Sequence, residues 1–245
     1  YRVGARNENP ARTGFAHLFE HLMFRGTRAV ENFDLPVQMA SGDNNAFTNN
    51  DYTDFYITLP KDNLETALWL ESDRMEGLDI TPAKLEAEKK VVIEEFRQRY
   101  LTQPYGDQTM LLRALAYKVH PYRWAAIGLA TDHIAGATLA DVESFYRAHY
   151  RPSNAILSIS ADMEEERMLE LAEKWFAPLA DHPSATAAIP QEPMQTQARR
   201  QEVERDVPAS TVTVAYHMCA RTKPDFYTAD LVSDLLSGGD SGRLY

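Results

Sequence analysis

The sequence is short of three things. It has one cysteine, Cys219, among 245 residues, it has no long uninterrupted apolar run, and its 25 Lys and Arg are outnumbered by 36 Asp and Glu. Each shortage excludes a class of protein. A single cysteine excludes an internal disulfide framework and any zinc site built from thiolates, so a metal would have to be held by His and carboxylates. No stretch reaches the roughly 20 apolar residues of a membrane-spanning helix, and no signal peptide is present. A formal net charge of -11 without clustered Lys and Arg lacks the footprint of a nucleic-acid or anionic-membrane partner, although it suits basic peptides. The opening "YRVGARNENP" carries no Met and reads as the inside of a strand, so the expectation is that an upstream segment has been lost. The composition assigns no compartment.

Apolar content of 44% is ample for a sizeable core. Apolar periodicity predicts helices at 15–24, 34–42, 64–77, 82–100, 108–119, 138–150, 164–179 and 225–236, with Thr81 and Thr138 as N-caps and Pro82 at a first helical position. "NNAFTNNDYTDFYITLP" reads as a hairpin turning at Asn49, Asn50 and Asp51, while "NAILSISAD" and "STVTVAYHM" read as strands. Strands mixed with helices throughout predict a sheet covered by helices, an α/β or α+β fold. Residues 181–203 lose periodicity and collect Pro183, Pro190 and Pro193, the composition of a linker. The expected organisation is a first domain over 1–180, a linker over 181–203 and the beginning of a second domain over 204–245.

One stretch calls for chemistry. "FAHLFEHLMF", residues 15–24, is apolar around most of its helical circumference, yet it holds His17, Glu20 and His21. Imidazoles and carboxylates are costly to bury unless they are paired, hydrogen-bonded or bound to a metal. His17 and His21, four apart, share a helical face and can reach one ion, and Glu20 stands about 100° around the helix beside them. H-x-x-E-H thus offers two neutral ligands and a carboxylate placed to take a proton from a water activated at the metal. The alternative, a pair of hydrogen-bonded core histidines, leaves Glu20 unexplained.

A catalytic zinc takes three protein ligands and keeps one position open. On a helical wheel of "LEAEKKVVIEEFRQRY", Leu85, Val92, Ile93, Phe96 and Tyr100 form the apolar arc. Glu94 falls among Lys90, Arg97 and Gln98 on the solvated side. Glu95 lies at the margin of the buried face, with Glu88 two turns earlier on the same stripe. Glu95 is therefore the expected third ligand, and Glu88 a group that orients a ligand or forms an ordinary salt bridge. His120, His133, His149, His182 and His217 lack metal-ligand spacing. "SGGDSG" lacks the Lys-Ser/Thr of a phosphate loop.

"RTGFAHLFEHLMFRGT", "GDNNAFTNNDYTDFYITLP" and "EKKVVIEEF" together resemble the inverzincins of the pitrilysin, insulin-degrading enzyme and mitochondrial processing peptidase group, whose inverted motif is H-x-x-E-H. The resemblance covers nearly the whole chain and extends to "LVSDLLSGGDSGRLY", which is similar to the start of the family's second, catalytically silent domain. It implies an α+β fold, a mixed, largely antiparallel sheet with helices packed on it. It implies that His17, His21 and Glu95 bind one Zn2+ per chain, that Glu20 is the general base and that Glu88 is an additional acidic residue near the site. The spacing from His21 to Glu95 is slightly shorter than the family pattern, which a small deletion in the intervening loops would explain. It further implies a zinc endopeptidase that holds peptide or unfolded polypeptide as an added strand beside Asn45, Ala46, Phe47 and Thr48, where the residues alone suggest a plain strand and Asn45 as a turn cap. A second homologous half, in the same chain or in a partner subunit, would complete the enzyme with an Arg and a Tyr. The family also contains non-catalytic subunits. Loss of the H-x-x-E-H residues would mark one, and here all are present.

Overall fold

The structure is a computed structural model that describes residues 1–181 and 188–244. His182 and Tyr245 lie outside the described residues, as do 182–187 of the expected linker. The chain falls into two compact units, Tyr1–Pro208 and Ala209–Tyr245. The first holds helices α1 (Phe15–Leu22), α2 (Asp34–Met39), α3 (Leu64–Glu76), α4 (Pro82–Phe96), α5 (Gln108–Ala116), α6 (Thr131–Ala135), α7 (Leu139–His149) and α8 (Glu165–Phe176). Its hairpin is β1 (Asp43–Thr48) and β2 (Thr53–Thr58). The second unit contains α9 (Asp225–Ser237). Helices packed with a small antiparallel sheet make the fold α+β, as the resemblance implies.

Local chemistry explains the boundaries. Thr81 accepts the Lys84 N–H at the start of α4, and Thr138 with Asp141 forms a capping box at the start of α7. The expected continuation of α4 to Tyr100 takes another form, since the helix widens into a π-helical turn at Arg97–Thr102. The hairpin pairs Ala46 with Phe55 and Thr48 with Thr53. Two expected strands are corrected: "NAILSISAD" and "STVTVAYHM" form no strand among the described residues, and Ile156, Val212 and Tyr216 are largely exposed. Alternation shows that a segment favours extended backbone, but a strand also needs a neighbour to complete its ladder. The N-terminal residues come closest to adding one. Tyr1 exchanges two backbone hydrogen bonds with Thr53, and the Arg2 N–H donates to Asn154 O at 2.8 Å.

The core is centred on α1. Phe15, Leu18, Phe19, Leu22 and Met23 cluster with Leu85, Val92 and Phe96 from α4 and with Val142 and Tyr150. α1 starts at Gly14, whose φ of 93° favours glycine and whose hypothetical Cβ would lie 2.7 Å from Ile127 O. Gly14 has no side chain with which to cap the helix. Glu8 supplies the cap from a distance: its carboxylate accepts from Gly14 N and Ala16 N, both at 2.9 Å, and from Trp124 Nε1 at 3.1 Å. Burial outweighs these donors and pushes the Glu8 carboxyl up to about 8. We predict that Glu8→Ala, by leaving buried N–H groups without an acceptor, lowers stability by about 3 kcal/mol in chemical denaturation. A loss below about 0.5 kcal/mol would show that the cap is dispensable.

Candidate metal centre

His17 and His21 stand on one face of α1 with ring centroids 4.9 Å apart. α4 packs across that face and brings in Glu95, whose Oε2 lies 3.5 Å from His17 Nε2 and 3.4 Å from His21 Nε2. These three residues offer ligand atoms all within 4.8 Å of one another, with His17 buried and the other two half-buried. A tetrahedral zinc with bonds of about 2.1 Å separates its ligand atoms by about 3.4 Å, so the spacing suits that ion. His17 Nδ1 is buried without a hydrogen-bond partner, which leaves Nε2 as the atom through which this ring can be held. Two imidazoles and one carboxylate are also a donor set that zinc accepts.

The helical phase of α4 separates its neighbouring glutamates. The Glu95 side chain is 22% exposed and faces the histidines, while Glu94 is 56% exposed and points to Arg97. Glu88, 1% exposed, places Oε2 3.4 Å from His21 Nδ1 and Oε1 2.5 Å from Arg25 Nη2. Arg25 is thus a partner of the site that periodicity did not single out. Glu20 is half-buried, and its carboxyl is hydrogen-bonded to Thr48. In β1, Asn45 and Phe47 are exposed while Ala46 and Thr48 are half-buried, and Asn45 Oδ1 accepts the Ala46 N–H.

Burial and charge pull the titrations apart. Burial lowers His17 to about 4. Burial also acts to lower His21, but hydrogen bonds to Glu88 and Glu95 outweigh it and raise that ring to about 9. The hydrogen bond to His21, opposed by burial and reinforced by the charges of His17 and Arg99, holds Glu95 below the usual carboxylate range. Burial acts to raise Glu88, but His21 and Arg25 hold it low. Glu20 is raised by burial despite its hydrogen bond to Thr48, the direction that suits a proton acceptor poised near neutrality.

His120 and His133 take part in hydrogen bonds with backbone N–H groups. His120 Nδ1 accepts from the Tyr122 N–H, and His133 Nδ1 accepts from the Thr13 N–H. Two described residues of the linker, Glu192 and Arg199, bond to the end of α5 and the loop after it. Glu192 accepts N–H groups of Lys118, Val119 and His120, and Arg199 donates to the carbonyls of Leu115 and Ala116.

Comparison with known proteins gives two family matches. The family described as insulinase, peptidase family M16, matches residues 2–125, and the peptidase M16 inactive domain matches residues 136–245. The chain is 34% identical to the zinc protease PqqE of Helicobacter pylori over 249 residues, covering 100% of this chain and 56% of that protein. It is 25% identical to a probable mitochondrial-processing peptidase subunit beta of Arabidopsis thaliana, covering 91% of this chain and 42% of that one. The crystal structure of a protease from Helicobacter pylori superposes with a TM-score of 0.90 at 32% identity, covering 100% of this chain and 60% of that chain. The chain therefore spans about half the length of the curated relatives it matches.

Two outcomes are expected. Glu95→Gln should weaken zinc binding by more than the roughly 10- to 100-fold typical of a supporting residue, while Glu94→Gln leaves it unchanged; competition with a chelator measures both. Because His21 titrates near 9 and a ligand imidazole must be neutral, zinc uptake at pH 7.5 should release about one proton, read from the buffer dependence of the calorimetric heat. No proton release would mean that His21 is already neutral.

Proposed function

We propose a function from one premise: the chain belongs to the insulinase family of peptidases, family M16. It is the metal-binding part of a zinc-dependent endopeptidase, with one Zn2+ held by His17, His21 and Glu95 and with Glu20 as general base. The convergence of those three ligand atoms, with Glu20 on the same helix, is the observation that carries this reading. Residues 1–180 form the catalytic domain and 204–245 begin the second homologous domain, with 181–203 between them.

Zinc bound there would act as a Lewis acid on water and on the scissile carbonyl. The chain's own residues divide the rest. Glu20, raised by burial and held by Thr48, accepts the proton of the attacking water and returns it to the leaving amine. Glu88 receives His21 Nδ1 and so orients the ring. The peptide lies along Asn45, Ala46, Phe47 and Thr48 as an added strand, gripped through its backbone without regard to sequence. In support, β1 pairs only with β2 among the described residues, so no strand lies along its other edge.

A second homologous half, in the same polypeptide or in a partner subunit, completes the active enzyme. This rests on the share of the relatives' length that the chain spans and on the family's paired halves. Enclosure and added donors are worth several kcal/mol of barrier, so residues 1–245 alone should bind zinc yet cleave peptides orders of magnitude more slowly than the complete protein. In the complete protein, Glu20→Gln should keep its zinc and lose roughly 100- to 10,000-fold in cleavage of an unfolded peptide. Loss of zinc in that variant would move Glu20 into the ligand set, and retained cleavage would remove it as the base.

A further inference from the structure

Both oxygens of Glu95 are engaged, by different partners. Oε2 faces the two imidazoles at 3.5 and 3.4 Å, and Oε1 lies 3.1 Å from Nη1 of Arg99. Arg99 sits in the π-helical turn Arg97–Thr102 that directly continues α4, so it lies one turn beyond the carboxylate. An exposed ion pair four residues apart on a helix contributes only a few tenths of a kcal/mol, and by that measure nothing would follow from this one. The geometry of the acceptor changes the conclusion.

A carboxylate beside a divalent cation can use one oxygen or both. With Oε1 turned to a guanidinium and Oε2 to the histidines, rotation of the Glu95 carboxyl group is fixed, and one oxygen remains for a metal. We propose that Arg99 is a positioning residue that restricts Glu95 to a single ligating oxygen and so keeps the fourth coordination position free. The proposal rests on the zinc-site reading given above. A second Glu95 oxygen would enter as a fifth ligand and crowd the position that hydrolytic zinc sites keep for water. Arg99 is well placed for this because its own side chain is 68% exposed and stands at the rim, outside the ligand set. Arg97, two residues earlier, pairs instead with Glu94 at 3.6 Å on the solvated side and provides a control of equal charge.

The test is titration of the complete protein with zinc and with cobalt(II) in three variants, Arg99→Met, Arg99→Lys and Arg97→Met, with thermal unfolding of each as a check on folding. Arg99→Met should weaken zinc binding about 10-fold and change the visible cobalt spectrum from the intense bands of a four-coordinate site to the weaker bands of a five-coordinate one. Arg99→Lys should keep the four-coordinate spectrum, and Arg97→Met should match the parent. Parent-like affinity and spectrum in Arg99→Met would overturn the proposal. Weakened binding with an unchanged spectrum would overturn it too, because the effect would then come from the fold and not from the mode of ligation. A parent protein that takes up no zinc would instead overturn the zinc-site reading, and this inference with it. The inference fails alone only when the parent binds zinc and Arg99→Met leaves the coordination unaltered.

Discussion

The site depends on the packing of α1 against α4. His17 and His21 come from one helix and Glu95 from the other, so the spacing between the two axes sets the distance of Glu95 from both rings. That spacing is fixed by apolar side chains: Leu18, Phe19 and Leu22 on one side, Leu85, Val92 and Phe96 on the other, all buried. Each contributes on the order of 1.5–3 kcal/mol when removed from water. The polar residues lie at the edge of this contact, where they reach each other without interrupting it. A metal site that must hold its geometry within fractions of an ångström is well served by two rigid elements whose separation is set by close packing.

Around that contact, charge is arranged so that each buried group has an opposite. Glu88 is shared between His21 and Arg25, and Glu95 between the histidines and Arg99. A buried carboxylate left without such partners would cost several kcal/mol or take up a proton. The protonated His21 ring and the two arginines hold both carboxylates in place and ionised. A divalent ion entering between the histidines and Glu95 then has to displace a proton, but it does not have to reorganise the side chains that receive it.

This arrangement also shows which features a sequence can carry. The two histidines and Glu20 were legible because helical spacing is local: four residues return to the same face whatever the rest of the chain does. The choice of Glu95 over Glu94 was legible for the same reason, since one residue shifts the direction by about 100° and the apolar arc of α4 fixes the origin. The hairpin followed from Asn49, Asn50 and Asp51. Glu8 was not legible. It lies in the turn-rich "NENPARTG", where no periodicity marks a buried position, and its partners Gly14, Ala16 and Trp124 meet only in the folded chain. Arg99, four residues after Glu95, falls near it on the same wheel, but an exposed cation carries no sign of burial that would single it out. The two missing strands mark a third kind of limit, because alternation along one segment carries no information about which neighbour will pair with it.

The hairpin meets α1 where Thr48 reaches Glu20. Thr48, the last residue of β1, hydrogen-bonds Glu20 and lies 3.4 Å from the Thr53 hydroxyl, which in turn donates to Val3 O at 2.9 Å. Thr53 is fully buried, so this short chain of polar groups ends in the core instead of in solvent. Thr48 therefore has a fixed neighbour on its inner side and the carboxylate of Glu20 on the other. In the proposed function, the strand that receives the peptide is the strand that holds the general base. Thr48 belongs to the same strand as Asn45, Ala46 and Phe47, so in that reading the residue beside Glu20 stands at a fixed position along the peptide-binding edge. Backbone pairing alone cannot select a sequence, but it can select a register, and under the proposed function that register would set which peptide bond faces Glu20.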